Sequence, residues 1–253
     1  VLSQLLNTEL GTAQLARIAG FTLLHHTIIF SVSMGLFSLK PFVERRAVMA
    51  WGATIFNAGN YGFPLTLLAF GEEAVTITAT VLIVQVILFY TVGILLFQGR
   101  KASVGKSLLQ ILTYPAIYAV ALGLAMRATH ITLPTQLQVP LGHLYNGFIS
   151  INLLTLGAQL ARSQIDRNIL PIGAVSVVRL AASPLLAAAL VPLFGFGEDI
   201  GPVLILACGL PVAVNVFIFA AEFKRDPEFA SQMVLWTTLI SAVTISVIWL
   251  LLL

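Results

Sequence analysis

The chain has 253 residues, of which 58% are hydrophobic and only 9% charged, with a mean hydropathy of +0.99, whereas an ordinary soluble domain carries about 25% charged residues. That balance excludes a soluble globular domain, and apolar runs of about 20 residues, enough to cross a ~30 Å hydrocarbon core, exclude a membrane β-barrel, whose segments alternate over ~10 residues. The net charge of +3 and pI of 9.3 do not signal a nucleic-acid partner, because the basic residues fall in short loops where membrane topology accounts for them.

In chain order, residues 1–12 lack both the basic start and the apolar core of a signal peptide and read as the tail of an earlier element. Eight apolar spans follow, over 13–38, 47–70, 75–97, 107–126, 140–161, 169–193, 201–222 and 230–252, with no room for a soluble domain between them. Lys40, Arg45 and Arg46 fall in the first loop and Arg100, Lys101 and Lys106 in the third. Arg162 and Arg167 fall in the fifth, and Lys224 and Arg225 in the seventh, so these loops hold ten of the thirteen Lys and Arg. The even-numbered loops carry Glu72 and Glu73, then Arg127 alone, then Glu198 and Asp199. By the positive-inside rule the odd loops are cytoplasmic and both ends of the chain face outward, in an inner or plasma membrane. The single cysteine, Cys208, lies in an apolar span and offers neither a disulfide nor a Cys-based metal site.

Two spans should break. Asn57-Ala-Gly-Asn60-Tyr-Gly62-Phe-Pro64 lies in the middle of span two, and Gly209-Leu-Pro211-Val-Ala-Val-Asn215 in the middle of span seven. Proline costs roughly 3 kcal/mol inside a helix, and glycine and asparagine weaken it further. In hydrocarbon such a break is tolerated only where protein or a water-filled cavity satisfies the freed backbone groups, so each break marks a candidate site.

Superposing Gly62-Phe-Pro64 on Gly209-Leu-Pro211 also aligns Arg17-Ile-Ala-Gly with Arg179-Leu-Ala-Ala, one span earlier in each case. By the charge count span two runs outward and span seven inward. The expected fold is therefore an all-α polytopic membrane protein, an inverted-repeat transporter fold with two crossed discontinuous helices. Residues 1–100 would form a partial first repeat of three helices and 101–253 a second of five, so two helices of the first repeat would precede this sequence and the chain would be N-terminally truncated.

Asn57-Ala-Gly-Asn-Tyr-Gly-Phe-Pro-Leu65 with Phe70-Gly-Glu-Glu73 resembles the first crossover of the auxin efflux carrier family, the bacterial relatives of the plant PIN proteins. Pro211-Val-Ala-Val-Asn215-Val-Phe, with Ala221-Glu222 and Asp226-Pro227, resembles the second crossover, and Leu154 to Arg162 and Arg179 to Pro184 also read like that family. The resemblance covers nearly the whole chain. It implies ten helices in two inverted five-helix repeats, export of malonate, malate or related carboxylates, and a homodimer.

The residues themselves suggest an anion site. Pro64 suits the first turn of a new half-helix, and the second half of span seven also starts at the membrane centre, so two helix N-termini with unpaired N–H groups would converge there. Asn57, Asn60, Gly62, Pro64, Pro211 and Asn215 are the candidate substrate-binding residues; the plainer alternative is that the asparagines merely cap the broken ends. Arg17, Arg179 and Glu222 are candidates for counter-charge or coupling, each with a plainer interfacial reading. His25 and His26 could carry a proton but read more simply as packing groups, and Gln85, Asn152 and Gln159 as interhelical hydrogen-bonding groups.

No nucleophile elbow, zincin motif or phosphate loop is present, so the expectation is no enzyme, no ATP-driven pump, and neither cofactor nor metal. The leading expectation is a secondary permease or efflux carrier for small organic anions such as dicarboxylates, working by alternating access within the lipid bilayer. The alternatives are a cation-coupled symporter or antiporter of a related inverted-repeat fold, and a non-transporting fragment.

Overall fold

The computed structural model describes residues 10–98, 115–129, 131, 133–161 and 169–252. Among the described residues every regular element is helical, as composition requires: α1 (Thr12–Leu36), α2 (Arg46–Thr54), α3 (Phe63–Phe70), α4 (Glu72–Leu88), α5 (Ile94–Gln98), α6 (Pro115–Ala128), α7 (Thr135–Ala161), α8 (Ile169–Val177), α9 (Ser183–Leu193), α10 (Gly201–Cys208), α11 (Val214–Glu222) and α12 (Pro227–Leu252). A π-helical turn, Phe89–Gly93, joins α4 to α5, and another, Val178–Ala182, joins α8 to α9. Pro184 in the first turn of α9 explains the second: it has no N–H to return to Leu180, so the ladder slips by one residue instead of breaking.

Four stretches are continuous, long and apolar enough to cross a bilayer: Thr12–Leu36, Glu72–Phe97, Ile169–Leu193 and Pro227–Leu252. They correspond to spans one, three, six and eight. Many of their large apolar side chains point away from the protein, among them Val32, Leu185, Val243 and Leu251. A chain of this composition covers such surface with lipid, and the protein is a multi-pass membrane protein. Loops three and five, with Arg100, Lys101, Lys106, Arg162 and Arg167, lie outside the described residues, as do the side chains of Arg127, Asn152 and Gln159.

Spans two and seven are interrupted where the glycines, asparagines and prolines fall. Helix α2 stops at Thr54, Ile55 to Asn57 run extended or irregular, and the π-helical turn Ala58–Gly62 leads into α3. Helix α10 stops at Cys208, and α11 starts at Val214 after five intervening residues, with Ala213 extended at its N-cap. The two breaks pair with each other through an antiparallel bridge between Phe56 and Val212. Asn57 N donates to Pro211 O at 2.9 Å and Ala213 N to Ile55 O at 3.1 Å. At the breaks the two chain segments therefore run antiparallel to one another.

The bridge also joins two hydrophobic cores. Trp51, Phe89, Phe97, Val212, Phe219, Phe229 and Met233 belong to one, and Ile18, Phe21, Phe56, Ile77, Leu204, Leu210 and Ile245 to the other. Each broken span leaves one core and enters the other at its break. Two glycines are closely packed, Gly62 at the break and Gly93 in the π-helical turn after α4. A Cβ at Gly62 would stand 2.9 Å from Leu210 Cδ1, and one at Gly93 would stand 2.8 Å from the Trp51 ring.

Loops one and seven meet at one end of the molecule, where Arg45 Nε lies 2.7 Å from Asp226 Oδ2. Arg225 Nε donates to Phe97 O at 3.1 Å nearby, bringing the end of span three to the same place. At the other end Gln14, Glu73, Glu198 and Asp199 line a shared hollow.

Candidate functional site

A cavity of about 430 Å³ opens beside the paired breaks, within the range of roughly 300–1,000 Å³ usual for small-molecule sites. Its inner wall is Ile55 to Asn60 and Ala213 to Asn215; α4 and the π-helical turn after it add Leu82, Gln85, Val86, Phe89 and Tyr90, and α11 adds Ile218, Phe219 and Glu222. Most of this wall is apolar. A few amides supply the polarity.

Asn57 is buried, and its Oδ1 accepts the backbone N–H of Asn60 at 3.1 Å. That bond fixes the amide orientation, because only the carbonyl oxygen can accept, and it leaves Nδ2 buried with no hydrogen-bond partner. Gln85, buried on α4, likewise has an Nε2 without a partner. An unpaired buried amide N–H costs about 1–3 kcal/mol, and two residues that line this cavity carry one each. Asn60 is half-buried and Asn215 exposed, both on the same wall. Asn215 stands in the first turn of α11, whose leading N–H groups have no carbonyl a turn earlier within the helix.

Asn57, Asn60, Asn215 and Glu222 thus share one cavity. Glu222, exposed, closes α11 about 10 Å along the helix from Asn215. Gly62, Pro64 and Pro211 are buried behind the wall and shape it: Pro64 lies in the first turn of α3, as its missing N–H allows, while Pro211 lies within the extended break itself. The two prolines are therefore not in matching positions, since five residues of π-helical turn intervene before α3.

Arg17 and Arg179 do not line the cavity, and their surroundings differ. Arg17 is exposed near the start of α1, donating to Phe194 O with its guanidinium 5.2 Å from the Phe196 ring centre. Arg179 is fully buried in the π-helical turn between α8 and α9. Its Nη1 donates to Ala53 O at 2.9 Å and Thr54 O at 3.0 Å, its Nη2 to Cys208 O and Ser183 Oγ, and its plane lies 4.8 Å from the Phe56 ring centre. It serves the last carbonyls of both first half-helices, α2 and α10.

His25 and His26 extend that buried cluster. His25 Nε2 donates to Ser183 O at 3.0 Å, and His26 Nδ1 to Thr22 O at 2.7 Å, one turn back in α1. The His26 ring packs 5.3 Å from Phe56. Neither histidine lines the cavity. Gln85 is the cavity residue that pattern reading under-weighted; its signal was a lone amide in the apolar run Val81 to Leu88.

A model of the family described as membrane transport protein matches residues 6–249. The chain belongs to that family. It is the family whose crossover motifs the sequence resembles, the auxin efflux carriers. Among curated proteins the chain is 26% identical over 235 residues to a Rhizobium meliloti protein named "Putative malonate transporter", covering 90% of this chain and 73% of that one. It is 24% identical over 200 residues to an "Uncharacterized transporter" of Methanothermobacter thermautotrophicus, covering 77% of this chain and 66% of that one. This member of the membrane transport protein family is thus a transporter, not an enzyme, by family and by the names of its relatives.

Proposed function

We propose that this transporter is a secondary carrier for small organic anions, dicarboxylates such as malonate among them, and that the anion binds in the cavity beside the paired breaks. The observation that carries this reading is the pair of partnerless buried amide donors, Asn57 Nδ2 and Gln85 Nε2, in a cavity that also receives the start of α11. Neutral donors and a helix N-terminus stabilise a carboxylate without burying a lysine, which would cost about 2.5–3.5 kcal/mol at the membrane centre. The Rhizobium relative's name supports the substrate class.

The mechanism we infer is alternating access around the crossover of two inverted repeats, residues 1–100 and 101–253. The antiparallel pairing of two broken spans supports it, since rocking one half against the other leaves the site at the pivot. The cavity runs from the breaks toward Glu222, the end that carries Arg45, Lys224 and Arg225. With the basic loops cytoplasmic, this is an inward-open form with both chain ends outside.

Glu222 in the same cavity supports a second reading, coupling of anion movement to a proton or cation. Proteoliposomes test both. Saturable uptake of labelled malonate, inhibited by unlabelled dicarboxylates and not by neutral analogues, is expected. No uptake of any carboxylate would contradict the proposal, and the second reading is supported only if Glu222→Gln abolishes the dependence of uptake on an imposed ion gradient.

A further inference from the structure

The buried cluster behind the breaks has a chemistry distinct from that of the cavity. Half-helices α2 and α10 both end at the crossover, and the C-terminal carbonyls of a helix carry about half a negative charge with no intrahelical donor. Ala53 O, Thr54 O and Cys208 O, from two chain segments over 150 residues apart, converge on one guanidinium, that of Arg179. Such converging carbonyls at broken helices are where carriers built on this principle coordinate an alkali cation.

We propose that Arg179 is the resident cation of the crossover, a positioning residue that neutralises both half-helix C-termini from within the chain, so that the break geometry is held without an exchangeable Na⁺. Three features of its setting fit that role. The guanidinium is fully buried and always charged, so the site is occupied at all times. Its two terminal nitrogens match four acceptors on three elements, α2, α10 and the start of α9, a division that an ammonium could reproduce only in part. Phe56, which pairs with Val212 and faces the cavity, lies against the guanidinium, so the cation's position is transmitted to the cavity wall through one ring.

The π-helical turn Val178–Ala182 is what delivers this side chain. By widening one turn of the long α8–α9 span it offsets Arg179 from the regular helical face, and Ser183, one turn on, adds a hydroxyl that donates to Cys208 O at 2.8 Å. The inference concerns the crossover on which the carrier reading also rests, but its test reads stability without any carboxylate, so the two fail separately.

The test follows thermal unfolding of the purified protein in detergent by the exposure of Cys208 to a thiol-reactive dye, that thiol being buried in the fold. At equal ionic strength the wild-type unfolding temperature should be the same in sodium, potassium and choline chloride. Arg179→Ala should unfold several degrees lower and recover at least half of the loss in millimolar methylguanidinium or in sodium chloride, and not in choline chloride. Arg179→Lys should fall between the wild type and Arg179→Met, which fills space without charge. A wild type stabilised specifically by Na⁺, an Arg179→Met protein as stable as the wild type, or an Arg179→Ala protein that no cation rescues would each overturn the proposal. Should the Ala and Met variants fail to fold, the wild-type salt series still decides it, with Arg179→Lys expected to unfold below the wild type and an Arg179→Lys protein as stable as the wild type counting against the guanidinium's role.

Discussion

Asn57 donates its backbone N–H to Pro211 O at 2.9 Å, joining two helix breaks that lie more than 150 residues apart in the chain. Other freed groups beside them are also met: Val212 N donates to Thr237 Oγ1 at 3.1 Å, Asn57 O accepts from Gly62 N at 2.9 Å, and Arg179 holds the carbonyls of Ala53, Thr54 and Cys208. A non-helical segment can persist at membrane depth only with its polar groups satisfied in this way.

Thr237 is therefore a support of the crossover. Its hydroxyl accepts from Val212 N while donating to Met233 O at 2.6 Å. Thr237→Val keeps the shape and strands a buried N–H, so it should destabilise the protein by about 1–3 kcal/mol. Thermal unfolding beside Thr238→Val, whose hydroxyl bonds only within its own helix, checks this; equal effects would show that the Val212 bond contributes little.

Gly93 should tolerate no side chain. An added Cβ would meet the Trp51 ring at 2.8 Å, and that ring is pinned by Phe30 and Phe89. Gly93→Ala should cost about 1–3 kcal/mol through overpacking. An unchanged unfolding temperature would mean that the ring has somewhere to go.

How far these features were legible in sequence differs from one residue to the next. The breaks were legible because Asn, Gly and Pro leave a helix for local reasons that any twenty-residue window contains. The register between them was not: Pro64 and Pro211 look alike in sequence, but the π-helical turn Ala58–Gly62 lies between one break and its proline and has no counterpart before α11. Arg179 could be seen as an arginine inside a span, yet three of its four partners are backbone carbonyls, which have no residue signature. Gln85 looked like an interhelical glue residue, since only the cavity beside it distinguishes a free donor from a paired one.

Orientation can be read directly. Single cysteines placed at Glu73 or Glu198 should react with an impermeant thiol reagent added to intact cells, and one at Lys224 should not, with the native Cys208 buried and silent. The opposite labelling would reverse the membrane topology proposed from the basic loops.

Gln85 separates ligand from scaffold. Gln85→Leu removes a donor that bonds nothing in the protein, so folding should be kept or improved while carboxylate affinity falls by about 1–3 kcal/mol. Asn60→Ala and Asn215→Ala should weaken binding in the same range, and wild-type affinity in both would leave those two asparagines as parts of the wall only.

The most direct measurement is a malonate titration of the wild type against Asn57→Asp. The new carboxylate keeps the oxygen that caps Asn60 N and replaces the free N–H group with negative charge in the cavity wall. The account predicts saturable binding by the wild type and at least ~10-fold weaker binding, about 1.4 kcal/mol, by Asn57→Asp. Equal malonate affinity in the two proteins would contradict an anion site at the crossover.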